Sequence, residues 1–376
     1  MMRILVLEPF FGGSHRQFWE GFRKHSRHEV HLATLAPFHW KWRMRGGALS
    51  LARSLEESPV PADLLFCSDY LALADFRSIC PRAYRDLPAA LYMHENQLTY
   101  PVPAGEKLDF HFGLTNVVSC LAAERVFFNS TYHRNEFFEE LPKFLRRFPD
   151  YVPHFAVREI EKKSEVLTLG CDLASLDSCR NRQEAHPHGE RVPVLLWNHR
   201  WEFDKNPDDF FWSLFRLKEE GAAFRVIVAG ERSIRWPEVF DLAERMLEDE
   251  IISFGPLRDR DSYGRALWEA DLSVSTSEHD FFGVSVVEAM YCGCYPVLPD
   301  RLSYPELIPE HYHGRHLYLH RENLLTRLRS LVRQGPVAPG PALREAAARH
   351  DWSCRIRDYD DRLEAVAAGS APSGSR

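Results

Sequence analysis

Short apolar runs alternate with longer amphipathic segments along the first half of the chain. The segment at residues 16–25 has a helical pattern of apolar positions, and each apolar run has the length of a strand. The predicted strands are residues 3–7, 29–35, 64–67, 89–93 and 125–129. This alternation is typical of a mostly parallel sheet covered by helices, so we expect an α/β fold. Ligands of such sheets bind beyond the carboxyl ends of the strands.

The second half repeats the same rhythm after a polar interruption. The predicted strands are residues 192–197, 224–229, 251–254, 272–275 and 295–298, with a helix at 207–220. The interruption at 179–191 contains Pro and Gly and predicts an interdomain linker. We therefore expect one Rossmann-like domain over residues 1–178 and another over 192–366. Residues 367–376 read A-A-G-S-A-P-S-G-S-R and predict a disordered tail.

Two α/β domains fit the length of 376 residues and occur in several functional classes. A periplasmic binding protein is disfavoured because Arg3 leads directly into a predicted strand rather than a secretory segment. A two-domain dehydrogenase is disfavoured because the loop after that strand, E-P-F-F-G-G-S-H, lacks G-x-G-x-x-G. No apolar run approaches the roughly 18–20 residues of a membrane span, so we expect a cytoplasmic protein.

Composition and charge indicate which cofactors and partners to expect. The eight cysteines have no metal-binding spacing and the 18 histidines form no H-E-x-x-H, so we expect neither a metal nor another cofactor. The net charge of −7 arises beyond residue 165, whereas the first half is nearly neutral. A general nucleic-acid-binding protein is usually basic, so any nucleic acid would need a local patch, which the first half favours.

Residues 280–288, which read D-F-F-G-V-S-V-V-E, are the most informative segment. They follow a predicted strand and open a predicted helix at 284–292. Gly283 at this turn lets backbone N–H groups approach a phosphate, whose charge the helix N-terminus favours. Glu288, about one turn inside the helix, can accept hydrogen bonds from sugar hydroxyls.

Arg200 and Lys205 lie five residues apart in the loop between the strand at 192–197 and the next helix. A guanidinium and an ammonium in such a loop can converge on a diphosphate and neutralise its charge as it leaves. The alternative is a pair of solvated loop cations.

Two polar loops in the first half are further candidates. Gly12, Gly13, Ser14 and His15 follow the first strand, where two glycines permit close backbone approach to a ligand. A plain tight turn is the alternative there. The polar segment H-E-N-Q at 94–97 directly follows the strand at 89–93, and its alternative is a capping or solvated loop.

Aromatic and basic residues alternate at 38–45, which read F-H-W-K-W-R-M-R. Basic side chains neutralise phosphates and tryptophans stack on unpaired bases, as single-stranded RNA loops require. The alternative is a helix start with buried tryptophans and solvated cations. The candidate RNA contacts are Lys41, Trp42, Arg43 and Arg45, with a second basic cluster at Lys143, Arg146 and Arg147.

Taken in order, five motifs carry a family resemblance. They are G-G-S-H at 12–15, H-E-N-Q-L-x-Y-P at 94–101, W-N-H-R-W-E-x-D-K-N-P at 197–207, H-D-F-F-G-V-S-V-V-E-A at 279–289 and Y-C-G-C-Y-P at 291–296. Together they resemble the tRNA-queuosine alpha-mannosyltransferase family, a branch of family 4 glycosyltransferases. The resemblance implies a GT-B fold, with two Rossmann-like domains facing across a nucleotide-sugar cleft. The N-terminal domain would be the acceptor side, and the C-terminal domain would bind the donor.

The resemblance also implies a reaction and roles for residues. The family transfers mannose from GDP-mannose to the cyclopentenediol of queuosine at the tRNA wobble position, with retention and without a metal. Arg200 and Lys205 would hold the diphosphate, Glu288 the ribose, and Asp280 the sugar, with His94 beside it. The backbone of Phe282, Gly283, Val284 and Ser285 would also hold the sugar, and Glu231, Gly255 and Leu257 would line the nucleotide. The acceptor-side candidates are Gly12, Gly13, Ser14, His15, Glu95 and Asn96.

One departure from the family pattern concerns Asp280, where family 4 usually has Glu. The charge is kept but the reach is shorter by one methylene, which bears on donor-sugar preference. Two alternatives remain: a family 4 enzyme with another acceptor, either a glycan or a different RNA, and a non-catalytic nucleotide-sugar-binding protein. Because no nucleophile is evident, we expect a same-face displacement rather than the carboxylate pair of retaining hydrolases, about 5–5.5 Å apart.

Overall fold

The structure is a computed structural model that describes residues 1–102, 105, 107–180, 192–233, 236–336 and 340–369. It divides into two compact units. The first comprises Met1–Cys171 with the chain from Trp352 onward, and the second comprises Asp172–Asp351. None of the helices in these ranges is long and apolar enough to cross a membrane.

The first unit is built around a parallel sheet with the order β2-β1-β3-β4-β5-β6. Its strands are β1 Arg3–Glu8, β2 Glu29–Thr34, β3 Leu64–Ser68, β4 Ala89–Met93, β5 Arg125–Phe128 and β6 Ser164–Val166. The helices between them are α1 Gly13–His25, α2 Trp40–Glu57, α3 Leu73–Ile79, α4 Arg82–Arg85, α5 Phe110–Ala122, α6 Thr131–Leu145 and α7 Phe155–Glu161. The central strands are apolar and buried on both faces, as parallel sheets require.

The second unit has a parallel sheet with the order β12-β11-β10-β7-β8-β9. Its strands are β7 Val194–Asn198, β8 Arg225–Ala229, β9 Ile251–Gly255, β10 Leu272–Val274, β11 Tyr295–Pro299 and β12 Leu317–Tyr318. Its helices are α8 Pro207–Glu219, α9 Val239–Met246, α10 Arg260–Glu269, α11 Val284–Tyr291, α12 Tyr304–Leu307, α13 His313–His316, α14 Arg321–Gln334 and α15 Pro341–Ala348. Short 3₁₀ helices occur at Ala174–Cys179, Phe203–Lys205 and Glu310–Tyr312.

The α/β class and every strand predicted from the sequence are confirmed, with boundaries that differ by at most two residues. Strands β6 and β12 were not predicted, because runs of three and two residues are too short to show a pattern. Both lie at an edge of their sheet.

The C-terminal helix α16, Trp352–Ala367, corrects the expected domain division, since it belongs to the first unit rather than the second. The indole of Trp352 is fully buried against Gly21 and Gly170, where an added Cβ would lie 2.0 and 2.6 Å from it. The hydroxyl of Ser26 donates to Asp360 at 2.6 Å across 334 residues of sequence. A sequence pattern shows that this helix is amphipathic but not which sheet covers its apolar face.

The expected linker and the expected tail are only partly within the described residues. Of the linker at 179–191, residues 181–191 lie outside the described residues. The tail was expected from residue 367, but Ala367 ends α16 and the next two residues bond back to that helix. Residues 370–376 are not described.

Each sheet has a point at which the strand order reverses, and ligands of such sheets bind at this point, beyond the carboxyl ends of the strands. In the first sheet this point lies between β1 and β3, and Glu8, Asp69 and His94 end or follow β1, β3 and β4. In the second sheet it lies beside β7, between β10 and β8. The predicted polar loops follow these same strands.

Candidate active site

The helix α11 begins immediately after Gly283, as the sequence predicts. Gly283 has a φ of 95°, and an added Cβ would lie 3.0 Å from Tyr304 and 3.2 Å from Leu307. Both its backbone and its surroundings therefore require glycine. The first N–H groups of a helix have no carbonyl one turn earlier, so those of Val284 and Ser285 form a natural anion site.

Glu288 lies in α11 and is held by two partners in its own unit. Arg260 Nη1 donates to its Oε1 at 2.6 Å, and the Tyr263 hydroxyl donates to its Oε2 at 2.8 Å. The side chain is almost fully buried. Each carboxylate oxygen has a second lone pair, so Glu288 can still accept a hydroxyl. Its assignment to the ribose stays a prediction.

Asp280 is fixed at the turn before α11. Its Oδ1 accepts from Phe282 N at 3.2 Å, and its Oδ2 accepts from the Tyr304 hydroxyl at 3.2 Å. Burial acts to raise the pKa of Asp280, but the charge of Lys205 and the other neighbours outweigh it and hold that pKa below its usual value. The carboxylate is therefore ionised and aligned, and its expected contact with the sugar stays a prediction.

Lys205 and Arg200 have different environments. Lys205 is 8 % exposed, and its Nζ donates to the carbonyl of His279 at 2.6 Å and lies 3.1 Å from Asp204 Oδ2. The solvated-cation alternative is therefore wrong for Lys205. The Arg200 side chain is 52 % exposed, with Nη2 at 3.2 Å from Glu202 Oε2, so that alternative remains open for Arg200.

His199 lies within the motif at 197–207 but has no predicted role there, and its imidazole is deeply buried at this site. It is 6 % exposed, its Nδ1 lies 3.4 Å from Ser285 Oγ, and its Nε2 is buried without a hydrogen-bond partner among the described residues. Burial, aided by the Lys205 charge, lowers the pKa of His199 to about 4. The ring is therefore neutral at physiological pH. Its place in that motif, directly after the buried strand β7, is the sequence signal that could have indicated it.

The loops after β8 and β9 lie against each other near His199. An added Cβ at Gly230 would lie 1.8 Å from the His199 carbonyl, so only glycine fits this close approach. Gly230 N donates to the carbonyl of Gly255, whose φ is 117°, at 3.3 Å. Glu231 is exposed and Leu257 is partly exposed on these loops. Their expected place beside the nucleotide stays a prediction.

We call Lys205, His199, Asp280, Ser285 and Glu288 the second-unit cluster. Asn198 ties its parts together, because its Nδ2 donates to the Ser285 carbonyl and the Tyr263 hydroxyl, both at 3.0 Å. By contrast, the side chain of Phe282 is buried and packs edge-on against His350, so only its backbone is available to a ligand.

In the first unit, Glu8 and His15 form a buried ion pair at the end of β1. Glu8 Oε2 lies 2.9 Å from His15 Nδ1 and accepts from Trp19 Nε1 at 2.8 Å, and Oε1 accepts from Phe10 N at 2.7 Å. Burial acts to lower the pKa of His15, but the Glu8 carboxylate outweighs it and raises that pKa to about 9. His15 is therefore an imidazolium at physiological pH.

The glycine loop before α1 is a turn that requires glycine. Gly13 has a φ of 51°, and an added Cβ at Gly12 would lie 2.5 Å from the Pro37 ring. Ser14 is exposed on the first turn of α1, whereas the next residue, His15, is buried. The tight-turn alternative describes this backbone correctly, and the acceptor-side role of Gly12, Gly13 and Ser14 stays a prediction.

The residues of the loop at 94–97 differ in what their side chains contact. The His94 ring lies 4.2 Å from the His15 ring between centroids, and its Nε2 is buried with no hydrogen-bond partner in the part of the chain that is described. Asn96 Oδ1 accepts from the backbone of Leu98 and Thr99, so the capping alternative is correct for Asn96. Glu95 Oε1 accepts from Tyr70 Oη at 2.8 Å.

Asp69, which no motif indicates, completes this group. It follows β3, is 1 % exposed, and its Oδ1 accepts from His94 N at 2.9 Å. Burial raises the pKa of Asp69 well above its usual value, although His15 opposes this. We call Glu8, His15, Asp69, His94 and Glu95 the first-unit cluster.

Glu8, His15 and His94 offer ligand atoms within 4.8 Å of one another, a set that could in principle bind a transition metal. The Glu8 oxygens, however, already accept from His15, Trp19 and the backbone of Phe10. The His15 nitrogen that faces Glu8 carries a proton. These atoms fit a hydrogen-bonded ion pair rather than a metal, and the absence of a metal stays a prediction.

In the aromatic and basic segment at 38–45, some residues fit the RNA-contact interpretation and others fit the helix-start interpretation. Trp40 begins α2 and packs on Met44, Tyr70 and Phe112, so it belongs to the core. Phe38 and Trp42 are 61 % and 74 % exposed, as stacking on bases requires. Lys41 and Arg45 are also exposed, whereas Arg43 Nε is bound to the Ala36 carbonyl.

The second basic cluster is largely neutralised. Lys143 Nζ lies 3.3 Å from both Glu139 and Glu140, and Arg147 Nη2 lies 4.0 Å from Glu140. Arg146 is exposed beside them. This surface is therefore a weaker candidate for RNA than the start of α2.

Comparison with known proteins identifies two family models along the chain. Residues 3–171 match the model described as tRNA-queuosine alpha-mannosyltransferase N-terminal, and residues 180–344 match glycosyl transferases group 1. The chain is 36 % identical over 318 residues to a tRNA-queuosine alpha-mannosyltransferase of Drosophila melanogaster, covering 82 % of each chain.

More distant relatives and solved structures agree with these matches. The chain is 26 % identical over 189 residues to the GDP-mannose:cellobiosyl-diphosphopolyprenol alpha-mannosyltransferase of Xanthomonas campestris, covering 47 % of this chain and 49 % of the relative. A sucrose-phosphate synthase from Thermosynechococcus elongatus superposes with a TM-score of 0.68 at 13 % identity, covering 98 % of this chain and 100 % of the other. A glycosyltransferase from Rickettsia africae gives 0.64 at 13 %, covering 97 % and 98 %.

Proposed function

This chain belongs to the tRNA-queuosine alpha-mannosyltransferase family, and from that membership we propose that it moves mannose from GDP-mannose to queuosine at the wobble position of tRNA. It is a glycosyltransferase with the GT-B fold. The observation that carries the proposal is the second-unit cluster, in which buried Lys205, Asp280 before α11 and Glu288 within α11 are each held by fixed partners.

The proposed binding of the donor depends on positive charges that can stabilise its diphosphate. A diphosphate gains negative charge when its bond to the sugar breaks, and a cation fixed beforehand stabilises that charge without reorganising. Lys205 is held in this way by the His279 carbonyl and Asp204. The N-terminus of α11 adds its dipole and its backbone N–H groups. Arg200, being exposed, supplies a second cation that is less constrained.

The identity of the donor is supported by relatives whose names state it. Both the Xanthomonas enzyme and a Mycobacterium tuberculosis phosphatidylinositol dimannoside mannosyltransferase are named for GDP-mannose. In this chain, Asp280 would bind mannose hydroxyls, because its carboxylate is ionised and held by Tyr304 and the backbone of Phe282. Glu288 would accept from the ribose.

We propose that the transfer proceeds on one face of the sugar. The acceptor oxygen bonds to the anomeric carbon as the bond from that carbon to the phosphate oxygen breaks, and the phosphate oxygen takes the acceptor proton. Lys205 stabilises the departing diphosphate. A covalent glycosyl-enzyme in a mass spectrum of the intact protein would contradict this mechanism. No step needs a metal, so added chelator should leave the rate unchanged, and an inactivation reversed by Mg²⁺ or Mn²⁺ would contradict that expectation.

Two assays test the proposed function. Purified protein is incubated with radiolabelled GDP-mannose and bulk tRNA from cells that make queuosine, and in parallel with tRNA from cells that lack it. We expect label to enter only the first tRNA, whereas transfer to both would point to another RNA acceptor. GDP binding without transfer to any tRNA or glycan would indicate a non-catalytic binding protein.

A further inference from the structure

The first-unit cluster contains more carboxyl groups than cations. Glu8 and His15 neutralise each other as an ion pair. Asp69 and Glu95 remain, and they accept hydrogen bonds from neutral donors, namely His94 N, Tyr70 Oη and Gln97 Nε2. Asp69 is 1 % exposed, and a buried carboxyl group without a cation is costly. The cluster is therefore suited to a ligand that brings a positive charge.

Unsatisfied polar atoms on the neighbouring loop also indicate a ligand. His94 Nε2 is buried without a partner, and a ring nitrogen of His94 lies within 4.8 Å of ligand atoms of Glu8 and His15. Asn96 is fully buried, and its Nδ2 has no hydrogen-bond partner among the described residues. Buried polar groups in native proteins are nearly always satisfied, so these atoms need water or a ligand.

An apolar wall borders the same residues. The rings of Phe10 and Tyr70 stack at 5.2 Å between centroids, and the His15 ring meets Tyr70 edge-on at 5.2 Å. Tyr70 thus packs against both Phe10 and His15 while its hydroxyl donates to Glu95. Carboxyl groups beside a flat ring fit a compact cyclic group that is both cationic and hydroxylated.

We propose that Asp69 and Glu95 form a subsite that binds the acceptor through an alkylammonium group and the hydroxyls next to it. This inference rests on the proposed function, because queuosine carries its cyclopentenediol on a secondary amine that is protonated near neutral pH. One carboxylate would pair with the ammonium and the other would accept from the diol. His94 would hydrogen-bond to the hydroxyl that reacts.

The subsite also accounts for discrimination between wobble bases. An unmodified guanine has neither the ammonium nor the diol, so it would leave the carboxylates buried and unpaired. Sites built to hydrogen-bond a substrate reject analogues that lack the matching group far more strongly than apolar pockets reject a missing methylene. Selectivity for the modified tRNA would therefore come from this cluster rather than from contacts along the RNA backbone.

Asp69→Asn and Glu95→Gln are the variants that test the subsite, because each keeps an oxygen for its present hydrogen bonds but cannot supply a negative charge when a cationic ligand binds. We expect each to raise the KM for queuosine-containing tRNA by roughly 10- to 100-fold, as for a lost charged hydrogen bond. GDP affinity and the melting temperature should not change. Asp75→Asn, an exposed position on α3, is the matched control.

A binding experiment distinguishes failure of this inference from failure of the proposed function. Three tRNAs are titrated in filter binding, with a wobble base that is queuosine, a deazaguanine bearing only the aminomethyl group, or unmodified guanine. Wild type should prefer both amine-bearing tRNAs, and Asp69→Asn should lose that preference. If wild type transfers mannose to queuosine but both variants keep its KM and preference, the subsite is wrong. If wild type transfers no mannose, the proposed function fails, and the same titration still decides the subsite.

Discussion

The two clusters occupy equivalent places in their sheets but differ in charge. In the second unit the carboxylates face fixed cations, since Lys205 lies beside Asp280 and Arg260 binds Glu288. In the first unit the imidazolium of His15 is bound to Glu8, and Asp69 accepts from a neutral backbone group. If the two proposals above are right, the same position in the fold binds an anion in one unit and a cation in the other.

The largest expected effect comes from the cation of the second unit. Lys205→Ala should lower turnover by about 10²- to 10³-fold, because it removes a stabiliser of the leaving group. Arg200→Ala should cost less, since that side chain is half exposed. Steady-state rates with saturating donor measure both, with the exposed Lys162→Ala as the control. Equal losses for both variants would show that burial does not determine how much each cation contributes to turnover. A wild-type rate for Lys205→Ala would show that Lys205 does not take part in the reaction.

His15 and His199, one buried histidine with a shifted pKa from each cluster, should differ in how their contribution to stability depends on pH. The folded pKa of His15 is about 9, above its usual 6.5, so its stabilising contribution is complete below about pH 6.5 and is lost as the pH rises through 9. Glu8, Asp69, His94 and Glu95 face it. The difference in unfolding free energy between wild type and His15→Gln should therefore shrink by about 3 kcal/mol between pH 6 and 10.

His199 supplies the internal control for that measurement. Its folded pKa is lowered to about 4, so it stays neutral throughout this range, and His199→Gln should differ from wild type by a constant amount above pH 7. Urea unfolding at several pH values measures both series. A constant difference for His15→Gln would mean that His15 is neutral and that the first-unit cluster is more negative than described.

Glu288→Gln probes the other carboxylate of the second unit. It keeps the shape of the side chain but weakens the hydrogen bonds expected with the ribose, so GDP affinity should fall by roughly 1–3 kcal/mol. Calorimetry with GDP measures this, and the exposed Glu248→Gln is the control. Unchanged affinity would show that Glu288 serves only Arg260 and Tyr263.

The smallest effect is expected at the surface. Lys41→Glu with Arg45→Glu should weaken tRNA binding and reduce the slope of log affinity against log salt by roughly 1.4, at about 0.7 per lost phosphate contact. GDP binding should not change. Lys143→Glu with Arg147→Glu is the comparison pair, and it should do less because Glu139 and Glu140 already neutralise those cations. A larger effect from the comparison pair would move the RNA surface to α6.

The strands and the Gly283 turn were predictable because local patterns determine them. Burial of single side chains was not, because it depends on residues distant in sequence. Lys205 and Arg200 look alike in the chain, yet Lys205 is 8 % exposed and donates to the carbonyl of His279, whereas the Arg200 side chain is 52 % exposed. Asp69 follows a strand as any turn aspartate does, and its environment comes from His15, His94 and Glu95, which other strands supply.

The C-terminal helix has a consequence for the order of folding during synthesis. Trp352 fills the space beside Gly21 and Gly170, and Asp360 accepts from Ser26. Residues 1–171 therefore cannot complete their unit until α16 has been synthesised, whereas the second unit is continuous and can fold earlier. A nascent chain stalled before Trp352 should accordingly have a protease-resistant second unit and an exposed apolar groove on α1.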